Sequence, residues 1–313
     1  MPTSTPFDAG KEALIIVNPA SRSRPKAARL QEAEDWLAEQ GWRVARQETE
    51  GRGDAITIAG RAAESGVSLV FVCGGDGTLN EAANGLAGSE TALAVIPAGT
   101  VNIWAREAGL NKKPLEAVQL AAEGVRRRID LGRAGSRHFL LMAGYGLDAA
   151  VTANVSHRVK GTIGAAAYAI ASAREVLRYR SARIRLKLDG EEVETEVLLV
   201  IAGNTREYAG LTRITPEAFA DDGLLDVRIY QGRGKREIML QGIGTLLRRH
   251  RRSKKVLYRR VKRLEMEWET PLPLQLDGEA CPDSPSAVSV APAALWVAVP
   301  AGRVNPLFSR PAG

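Results

Sequence analysis

The feature that most constrains the fold of this chain is an apolar run that ends abruptly in glycines. The run Leu69–Cys73 has the composition of a strand that is buried on both faces. It is followed by Gly74–Gly77 (GGDG), where three glycines in four residues permit positive φ and a close approach of another group to the backbone. We therefore predict a buried strand that ends in a tight turn.

The residues after this turn have the pattern of a helix start. Thr78–Glu81 (TLNE) is typical of a capping box, and apolar residues then recur at helical spacing as far as Leu86. A strand, a glycine turn and a helix N-terminus together form an anion site, because free N–H groups and the helix dipole point at one place. Asp76 suits such a site if a divalent metal lies between its carboxylate and a phosphate. We predict a nucleotide phosphate site; the simpler alternative is a tight turn with a surface aspartate.

The chain up to about residue 131 alternates strands with helices. Strand patterns at Ala13–Val17, Trp42–Gln47 and Ala92–Ile96 alternate with helical patterns at Lys26–Gln40 and from Asp54 to Gly66. This spacing indicates βαβ units and a mostly parallel sheet. The loops with the sequences NPAS, GGDGT and PAGTVN each follow a strand, so one crevice at the carboxyl ends of the strands can hold all three.

The second half of the chain has a different pattern. Only Ile163–Tyr179 and Lys235–Arg249 have helical spacing, and Asp189-Gly190 is a hairpin signal between two strands. We predict an antiparallel sandwich or barrel with a few helices. The predicted strands are His138–Ala143, Ser181–Leu188, Glu192–Ala202, Leu224–Tyr230, Arg263–Glu269, Leu272–Leu276, Ala287–Val290 and Leu295–Val299.

Length and composition favour a two-domain, cytoplasmic chain. The 313 residues exceed one typical domain. Cys73 and Cys281 are far apart in sequence, and nothing indicates a disulfide or an oxidising compartment. The N-terminus lacks the pattern of a signal peptide, and no uncharged stretch reads as a membrane span. The three histidines have no ligand spacing, which argues against a histidine-based metal site or catalytic triad.

Ten of the 43 Lys and Arg residues lie between Arg248 and Arg263. Three interpretations of this basic cluster are open: a solvated face, a surface that docks on anionic lipid, and a nucleic-acid site. A single aromatic residue interrupts the cations and no recognition motif surrounds them, so we expect no nucleic-acid partner. Membrane docking predicts vesicle binding that weakens with salt. The sequence does not indicate the oligomeric state, and a homodimer stays open.

Six motifs occur along the chain in a fixed order, namely Asn18-Pro19, Gly74–Glu81, Pro97–Asn102 with Ala105-Arg106, Gly144–Ala149 (GYGLDA), Asp221–Val227 (DDGLLDV) and Leu276–Glu279 (LDGE). In the order of these motifs, the chain resembles the diacylglycerol kinase and sphingosine kinase superfamily, above all its soluble bacterial lipid kinases. GGDGT alone is shared with NAD kinases and related to a phosphofructokinase motif, whereas the later motifs are more specific.

This resemblance implies a phosphofructokinase-like α/β domain that binds ATP and a β-sandwich domain that holds the lipid, with the active site in the cleft between them. The expected boundaries are 1–131 for the first domain, to which 302–313 return, and 132–301 for the second. Mg²⁺ is the expected second cofactor. The substrate would be met at a membrane surface, so we expect a cytoplasmic protein that associates peripherally with the membrane.

The resemblance also implies roles for individual residues. Glu279 would be the proton acceptor, with Asp277 and Asp76 as catalytic partners. A structural magnesium would bind at Phe219, Asp222 and Leu224. The residues expected to line the nucleotide are Asn18, Pro19, Ala20, Ser21, Arg22, Thr49, Gly74, Gly75, Asp76, Gly77, Thr78, Leu79, Asn80 and Thr100.

The chemistry supports these assignments independently. Phosphoryl transfer to an alcohol needs neutralised phosphates, alignment, and a base for the hydroxyl proton. Asp277 and Glu279 flank Gly278 and would lie on one side of a regular extended chain. A hairpin turn with exposed acids is the alternative.

We therefore expect an ATP- and Mg²⁺-dependent lipid kinase that acts on a diacylglycerol-like lipid. A sphingoid base or another lipid alcohol is the second choice of acceptor. An NAD-kinase-like role leaves most of the motifs unexplained. Outside the enzymes, a lipid-binding or regulatory protein without turnover is the alternative.

Overall fold

A computed structural model of the chain gives the fold. It describes residues 4–5, 7, 10–99, 101–110, 113–154, 179–208, 210, 212–234, 236–238, 240, 253, 255–302 and 304–309.

The structure gives bounds for eighteen strands and six helices within the described residues. The helices are α1 (Ala27–Glu39), α2 (Asp54–Glu64), α3 (Asp76–Leu86), α4 (Ile103–Glu107), α5 (Pro114–Ala122) and α6 (Leu147–Asn154). The strands of the first half are β1 (Ser4–Thr5), β2 (Glu12–Val17), β3 (Arg43–Glu48), β4 (Leu69–Gly74), β5 (Ala92–Pro97) and β6 (Val125–Ala134). Those of the second half are β7 (Arg137–Phe139), β8 (Met142–Gly146), β9 (Ala182–Leu188), β10 (Glu191–Gly203), β11 (Glu207–Tyr208), β12 (Thr212–Arg213), β13 (Leu225–Gln231), β14 (Val256–Val261), β15 (Arg263–Trp268), β16 (Leu274–Leu276), β17 (Glu279–Cys281) and β18 (Ala287–Val299).

Four parallel strands form the centre of the first half, in the order β5-β4-β2-β3. Every residue of β4 is buried, as the unbroken apolar run predicts. Helices cover both faces: Leu30 of α1 belongs to the same buried cluster as Phe71 on one face, and Leu79 of α3 to the same cluster as Val70 on the other. This arrangement confirms the predicted α/β architecture.

The second half is antiparallel. The order β17-β16-β8-β10-β9-β15-β18 continues into β5, so the two halves share one sheet. β18 makes this junction, because it pairs antiparallel with β6 and β15 and parallel with β5. Asp189 and Gly190 form the expected two-residue hairpin, and both have positive φ.

Several local predictions were wrong in detail. Helix α3 begins at Asp76 rather than at a capping box: Gly75 is its N-cap, and the Glu81 carboxylate accepts a bond from the Gly53 N–H instead. The predicted strand His138–Ala143 is two strands separated at Leu140 and Leu141, because the backbone N–H groups there turn toward a carboxylate. Strands β6 and β14 escaped prediction, because arginines interrupt their apolar pattern.

Both helices predicted in the second half fall largely outside the described residues. Within Ile163–Tyr179 the structure describes Tyr179 alone. Of Lys235–Arg249 it describes residues 236–238 and 240, which are helical.

The C-terminal segment packs on the junction of the two halves. Leu307 and Phe308 belong to the same hydrophobic cluster as Trp104 and Val299. The Asn305 amide donates to the carbonyl of Glu107 at 2.8 Å. The segment therefore buries apolar side chains against the first half, while the domain boundaries remain a prediction.

Candidate active site

The carboxyl ends of the parallel strands lie side by side and are joined by backbone hydrogen bonds. Asn18 N–H donates to the carbonyl of Cys73 at 3.0 Å, and Thr49 N–H donates to that of Val17 at 2.9 Å. The Ala98 N–H donates to Gly74 at 3.1 Å. The loops after β2, β3, β4 and β5 therefore meet at one edge of the sheet, as the parallel order requires.

Two of these loops touch backbone to backbone. A Cβ on Gly99 would lie 2.8 Å from the Cα of Gly75, so a glycine is required at this crossing. Asn102 fastens the two loops: its Oδ1 accepts from Gly99 N–H at 2.7 Å and its Nδ2 donates to Gly74 at 3.0 Å. Asn102 is buried with φ of +49°, a conformation that asparagine adopts more readily than most residues.

A cavity of about 630 Å³ opens at this edge. It contains nine of the fourteen residues predicted to line a nucleotide, together with Glu279 of the second half. Its lining is Asn18, Pro19, Ala20, Ser21, Arg22, Thr49, Glu50, Gly51, Arg52, Gly75, Gly77, Thr78, Glu81, Gly99, Thr152, Glu279 and Ala280.

Glu279 reaches the glycine turn from the second half of the chain. A Cβ atom added to Gly77 would lie only 2.8 Å from the Oε1 of Glu279. Its Oε2 accepts from Nη2 of Arg52 at 2.6 Å. The carboxylate is partly buried, with 23% of the side chain exposed, so it faces the cavity beside the N-terminus of α3.

The loop after β3 contributes residues that the sequence analysis missed. Arg52 brings a cation to the cavity, and Gly53 N–H donates to Oε1 of Glu81 on α3 at 2.9 Å. Asp54 fixes the loop by accepting from the N–H groups of Glu50 and Gly51. The position of this loop after a parallel strand could have identified Arg52 as a candidate site residue, whereas no feature of the sequence indicated Thr152.

Asp76 is turned away from the cavity. Its two oxygens accept from the N–H groups of Ile103, at 3.0 Å, and Trp104, at 3.3 Å, so it caps the short helix α4. Burial raises the pKa of Asp76, while these two N–H groups act in the opposite direction. Because both oxygens already accept backbone N–H groups, the carboxylate suits a contact with a metal through water better than direct ligation.

Asp277 and Glu279 do not lie on one side of an extended chain. Asp277 and Gly278 have φ of +50° and +84°, and Leu276 pairs with Glu279, so they form a two-residue turn of the kind that permits positive φ at both positions. The chain reverses here, so the regular extended chain on which the same-side prediction depended is not formed.

The Asp277 carboxylate accepts three backbone N–H groups, from Leu140, Leu141 and Met142, at 2.7 to 2.9 Å. Burial raises the pKa of Asp277 to about 7 against these three donors, and the charge of Asp76 adds to the rise. Asp277 does not line the cavity. Its contacts give it the geometry of a positioning residue for the turn that carries Glu279.

Three other predicted residues also point away from the cavity. Leu79 and Asn80 are buried on the inner face of α3, where Asn80 Oδ1 accepts from Asn84. Gly74 ends β4, and a Cβ there would lie 2.9 Å from the Cβ of Thr78. Thr100 lies outside the described residues. Thr78 does line the cavity, and its Oγ1 accepts from Nδ2 of Asn18 at 2.8 Å.

The structural magnesium site, which the resemblance assigns to backbone carbonyls and a carboxylate at Phe219, Asp222 and Leu224, stays a prediction. The Asp222 carboxylate is paired with the guanidinium of Arg260 through one oxygen and accepts from Leu224 N–H, at 3.1 Å, through the other. The Phe219 ring lies 4.9 Å from the guanidinium carbon of Arg206. A protein cation therefore stands beside Asp222. Nowhere in the described ranges do three or more His, Cys, Asp or Glu side chains converge as a metal site.

The structure describes half of the cations of the basic cluster, those from Lys255 to Arg263. Four of its five described cations are in ion pairs, namely Lys255 with Glu237, Arg259 with Glu191, Arg260 with Asp222, and Arg263 with Glu265. Lys262 makes no ion pair within the described residues. The other five cations, in 248–254, lie outside them.

Comparison with known families agrees with this arrangement. Residues 12–134 match the family described as the diacylglycerol kinase catalytic domain. Residues 142–299 match the family described as the YegS C-terminal NAD kinase beta sandwich-like domain. Among the residues that the structure describes, none of the helices combines the length and hydropathy that crossing a bilayer requires.

Individual proteins resemble the chain over most of its length. A protein of Chromohalobacter salexigens named "Probable lipid kinase YegS-like" is 32% identical, over 96% of this chain and 97% of its own. A diacylglycerol kinase of Staphylococcus carnosus is 33% identical, over 86% and 89%. A crystal structure of a diacylglycerol kinase from Bacillus anthracis superposes with a TM-score of 0.75 at 26% identity, covering 92% of this chain and 97% of that one.

Proposed function

Because this chain belongs to the family of diacylglycerol kinases and YegS-like lipid kinases, we propose that it transfers the γ-phosphate of ATP to a hydroxyl of a diacylglycerol-like lipid. The observation that carries the proposal is the contact between Glu279 and the glycine turn at Gly77. This contact brings a carboxylate from the second half to the N-terminus of a helix in the first. The family is one of kinases, and kinases use ATP as the phosphate donor.

The phosphates of ATP would lie at the N-terminus of α3. This eleven-residue helix begins in a turn without side-chain bulk at Gly75 and Gly77, so its free N–H groups are accessible to an anion. Arg22 and Arg52 line the same cavity and supply positive charge. Thr78 and Asn18 add a hydroxyl and an amide beside the turn.

Glu279 would act as the general base. It would accept the proton of the lipid hydroxyl as the hydroxyl oxygen forms a bond to the γ-phosphorus. The bond between that phosphorus and the β–γ bridging oxygen breaks, and ADP leaves with the negative charge. In the structure Glu279 is paired with Arg52. A triphosphate in the cavity would offer the guanidinium a more highly charged partner and leave the carboxylate available for the proton.

The donor set beside the turn fits a magnesium ion that arrives with the nucleotide. Such an ion keeps several waters and needs only one or two carboxylates besides the phosphates. Asp76 is the residue that would hold it, through water, and Mg²⁺ when bound would neutralise charge on the phosphates while Glu279 stays available for the proton. Asp277 and Asn102 keep their roles in positioning the loops.

The proposed acceptor is taken from a membrane surface. Four of the five described cations of the basic cluster are already paired with acids, so most of the attraction to anionic lipid must come from residues 248–254. Each unpaired cation near such a surface would contribute about 1 kcal/mol. Cosedimentation with anionic vesicles that weakens with salt would support this part of the proposal, and equal binding to neutral vesicles would contradict it.

The test of the proposed function is phosphate transfer from γ-labelled ATP to extracted bacterial membrane lipids, with the product identified by mass. A labelled phosphatidate is the expected result. A labelled sphingoid base or other lipid alcohol would change the acceptor and keep the reaction class. Binding of ATP and lipid without transfer to any acceptor would overturn the proposal in favour of a lipid-binding protein without turnover.

A further inference from the structure

A polar chain of side chains extends from the turn that carries Glu279 into α6. The Oε1 of Gln275 accepts from Gly278 N–H at 2.6 Å, and its Nε2 donates to Oδ2 of Asp148 at 2.7 Å. The other oxygen of Asp148 accepts from the hydroxyl of Tyr208. The turn is therefore held from two sides, by Asp277 and by Gln275.

The GYGLDA sequence provides the space for this chain. Gly144 lies directly opposite Gln275 on the neighbouring strand. A Cβ on Gly144 would lie 2.3 Å from Oδ2 of Asp148 and 2.7 Å from Nε2 of Gln275. Gly144 is therefore required where the side chains of Asp148 and Gln275 meet, and the GYGLDA motif has a role outside the nucleotide cavity.

The same chain leads back to the glycine turn. Tyr208 follows Glu207, whose N–H, together with that of Arg206, donates to the Glu107 carboxylate at the end of α4. The first turn of α4 is capped by Asp76. Polar contacts and short stretches of backbone therefore connect Asp76, which does not line the cavity, with Glu279, which does.

From these contacts we infer that Gln275 and Asp148 are positioning residues for the phosphoryl transfer, acting on Glu279 through the N–H of Gly278. The inference rests on the proposed role of Glu279 as base. Gln275 is buried and lines no part of the nucleotide cavity, so it acts through the turn rather than on the substrate. A small displacement of a catalytic group lowers the rate strongly, by as much as about 100-fold for 1 Å.

The test exchanges donor and acceptor between the two side chains. Gln275→Glu alone puts two carboxylates against each other. Asp148→Asn alone removes the charged acceptor of Gln275 Nε2 and turns an NH₂ group toward either Gln275 or the Tyr208 hydroxyl, which in the wild type donates to Asp148. In the double variant the amide of residue 148 donates to the carboxylate of residue 275, whose other oxygen still accepts from Gly278. We expect each single variant to lower kcat about 10- to 100-fold, with KM for ATP changed less than about threefold. The double variant should return kcat to within about threefold of wild type.

Asp189→Asn is the matched control. Asp189 also sits in a two-residue hairpin turn and accepts two backbone N–H groups, from Lys262 and Arg263, but lies outside the cavity lining. It should keep wild-type kcat. A double variant no more active than the weaker single variant would overturn the inference. Single variants that raise only KM for the lipid would also overturn it, because they would place Asp148 in lipid binding.

Two further measurements separate this inference from the proposed function. A Glu279→Gln variant as active as wild type would overturn both, because no base would then need positioning. Hydrogen exchange of the peptide that covers residues 272–281 needs no activity. Exchange there should accelerate in Gln275→Glu and recover in the double variant, and unchanged exchange in both would overturn the inference even with the kinase activity intact.

Discussion

Gly77 and Glu279 are in contact across the cavity, although 202 positions separate them: a Cβ on residue 77 would lie 2.8 Å from Oε1 of Glu279. One residue belongs to the turn at the N-terminus of α3, and the other is a carboxylate. This juxtaposition brings the proposed anion site and the proposed base to one place, which is what phosphoryl transfer to an alcohol requires.

Glu279→Gln should abolish transfer without preventing ATP binding. The amide cannot accept the hydroxyl proton, so we expect kcat to fall about 10²- to 10⁴-fold, the usual contribution of a general base. Binding of ATP, measured by calorimetry, should change little, because the N-terminus of α3 stays intact. Glu191→Gln, at an exposed pair with Arg259, is the matched control. Normal transfer by Glu279→Gln would remove the assignment of the base.

Gly77→Ala should lower the activity without lowering the stability of the protein. The new methyl would meet the flexible end of the Glu279 side chain, which can move at little cost, and alanine favours a helix over glycine by about 0.5–1 kcal/mol. We expect an unchanged or higher Tm and a kcat lowered about 10- to 100-fold. Gly60→Ala in α2, where the nearest atom is 3.8 Å away, should raise stability without loss of kcat. Equal kcat in the two variants would contradict the importance of the contact.

The unfolding free energy should fall as the pH rises from about 4 to 7. Burial raises the pKa of Asp277 and of Asp226 to about 7 from 3.8, so in this window the native state binds more protons than the unfolded state. The contribution is complete below about pH 4 and is lost as the pH rises through 7, at no more than about 1.4 kcal/mol per pH unit for each group.

Chemical denaturation of wild type and Asp277→Asn at several pH values checks this expectation. The variant should be less stable overall, since it loses one acceptor for the amides of Leu140–Met142, but its slope between pH 4 and 7 should be shallower. Asp189→Asn should keep the wild-type slope. Identical slopes for wild type and Asp277→Asn would show that Asp277 does not bind the extra proton.

Much of the fold could be predicted from local pattern, and the errors have physical causes. The unbroken apolar run of β4 and the helical spacing of α1 and α2 locate those elements to within two residues. Strand β6 was missed because Arg127 occupies a core position in it. Arg127 is fully buried beside Asp221, but its charge interrupts the apolar pattern from which a strand is predicted. An ion pair between residues that are far apart in sequence cannot be predicted from a local hydrophobic pattern.

The same limit applies to the candidate site. The glycine turn and the loops that follow the strands could be found, because each is a local signal and the parallel sheet brings them together. The turn at Asp277-Gly278 reverses the chain, so the side on which each carboxylate lies depends on φ and could not be read from residue spacing. Arg260 beside Asp222 depends on the pairing of β13 with β14, a contact between residues 38 positions apart.

The pairing of Arg260 with Asp222 predicts that the folded protein does not need a divalent cation at this place. Arg260 also lies directly opposite Asp226 on the neighbouring strand, with its Nε 3.7 Å from a buried carboxylate oxygen. Without nucleotide, the Tm of wild type should be the same in EDTA and in Mg²⁺. Arg260→Gln should lower Tm, because it removes the cation that is paired with both Asp222 and Asp226.

Arg263→Gln, at an exposed pair with Glu265, is the control for Arg260→Gln and should leave Tm nearly unchanged. A wild-type Tm that rises with Mg²⁺, in a way that Asp222→Asn abolishes, would show that a metal binds there after all. An unchanged Tm in Arg260→Gln would equally contradict the role of the guanidinium.

Phe308 should be the residue of the C-terminal segment on which stability depends most. It is 6% exposed, and its ring lies 4.5 Å from the guanidinium carbon of the fully buried Arg127. The next residue, Ser309, donates its N–H to Asp221, the partner of Arg127. Phe308→Ala would open a cavity and remove the face that covers this buried ion pair, so we expect a loss of about 3–5 kcal/mol in unfolding free energy.

Val304→Ala provides the comparison in the same segment. Val304 is 83% exposed, so removing two methyl groups there should change the unfolding free energy by less than about 0.5 kcal/mol. Urea denaturation of both variants measures the difference directly. If Phe308→Ala also costs less than about 1 kcal/mol, the segment does not stabilise the junction between the two halves. If it costs the expected amount while kcat at saturating ATP is unchanged, the segment stabilises the fold and stays outside the chemistry.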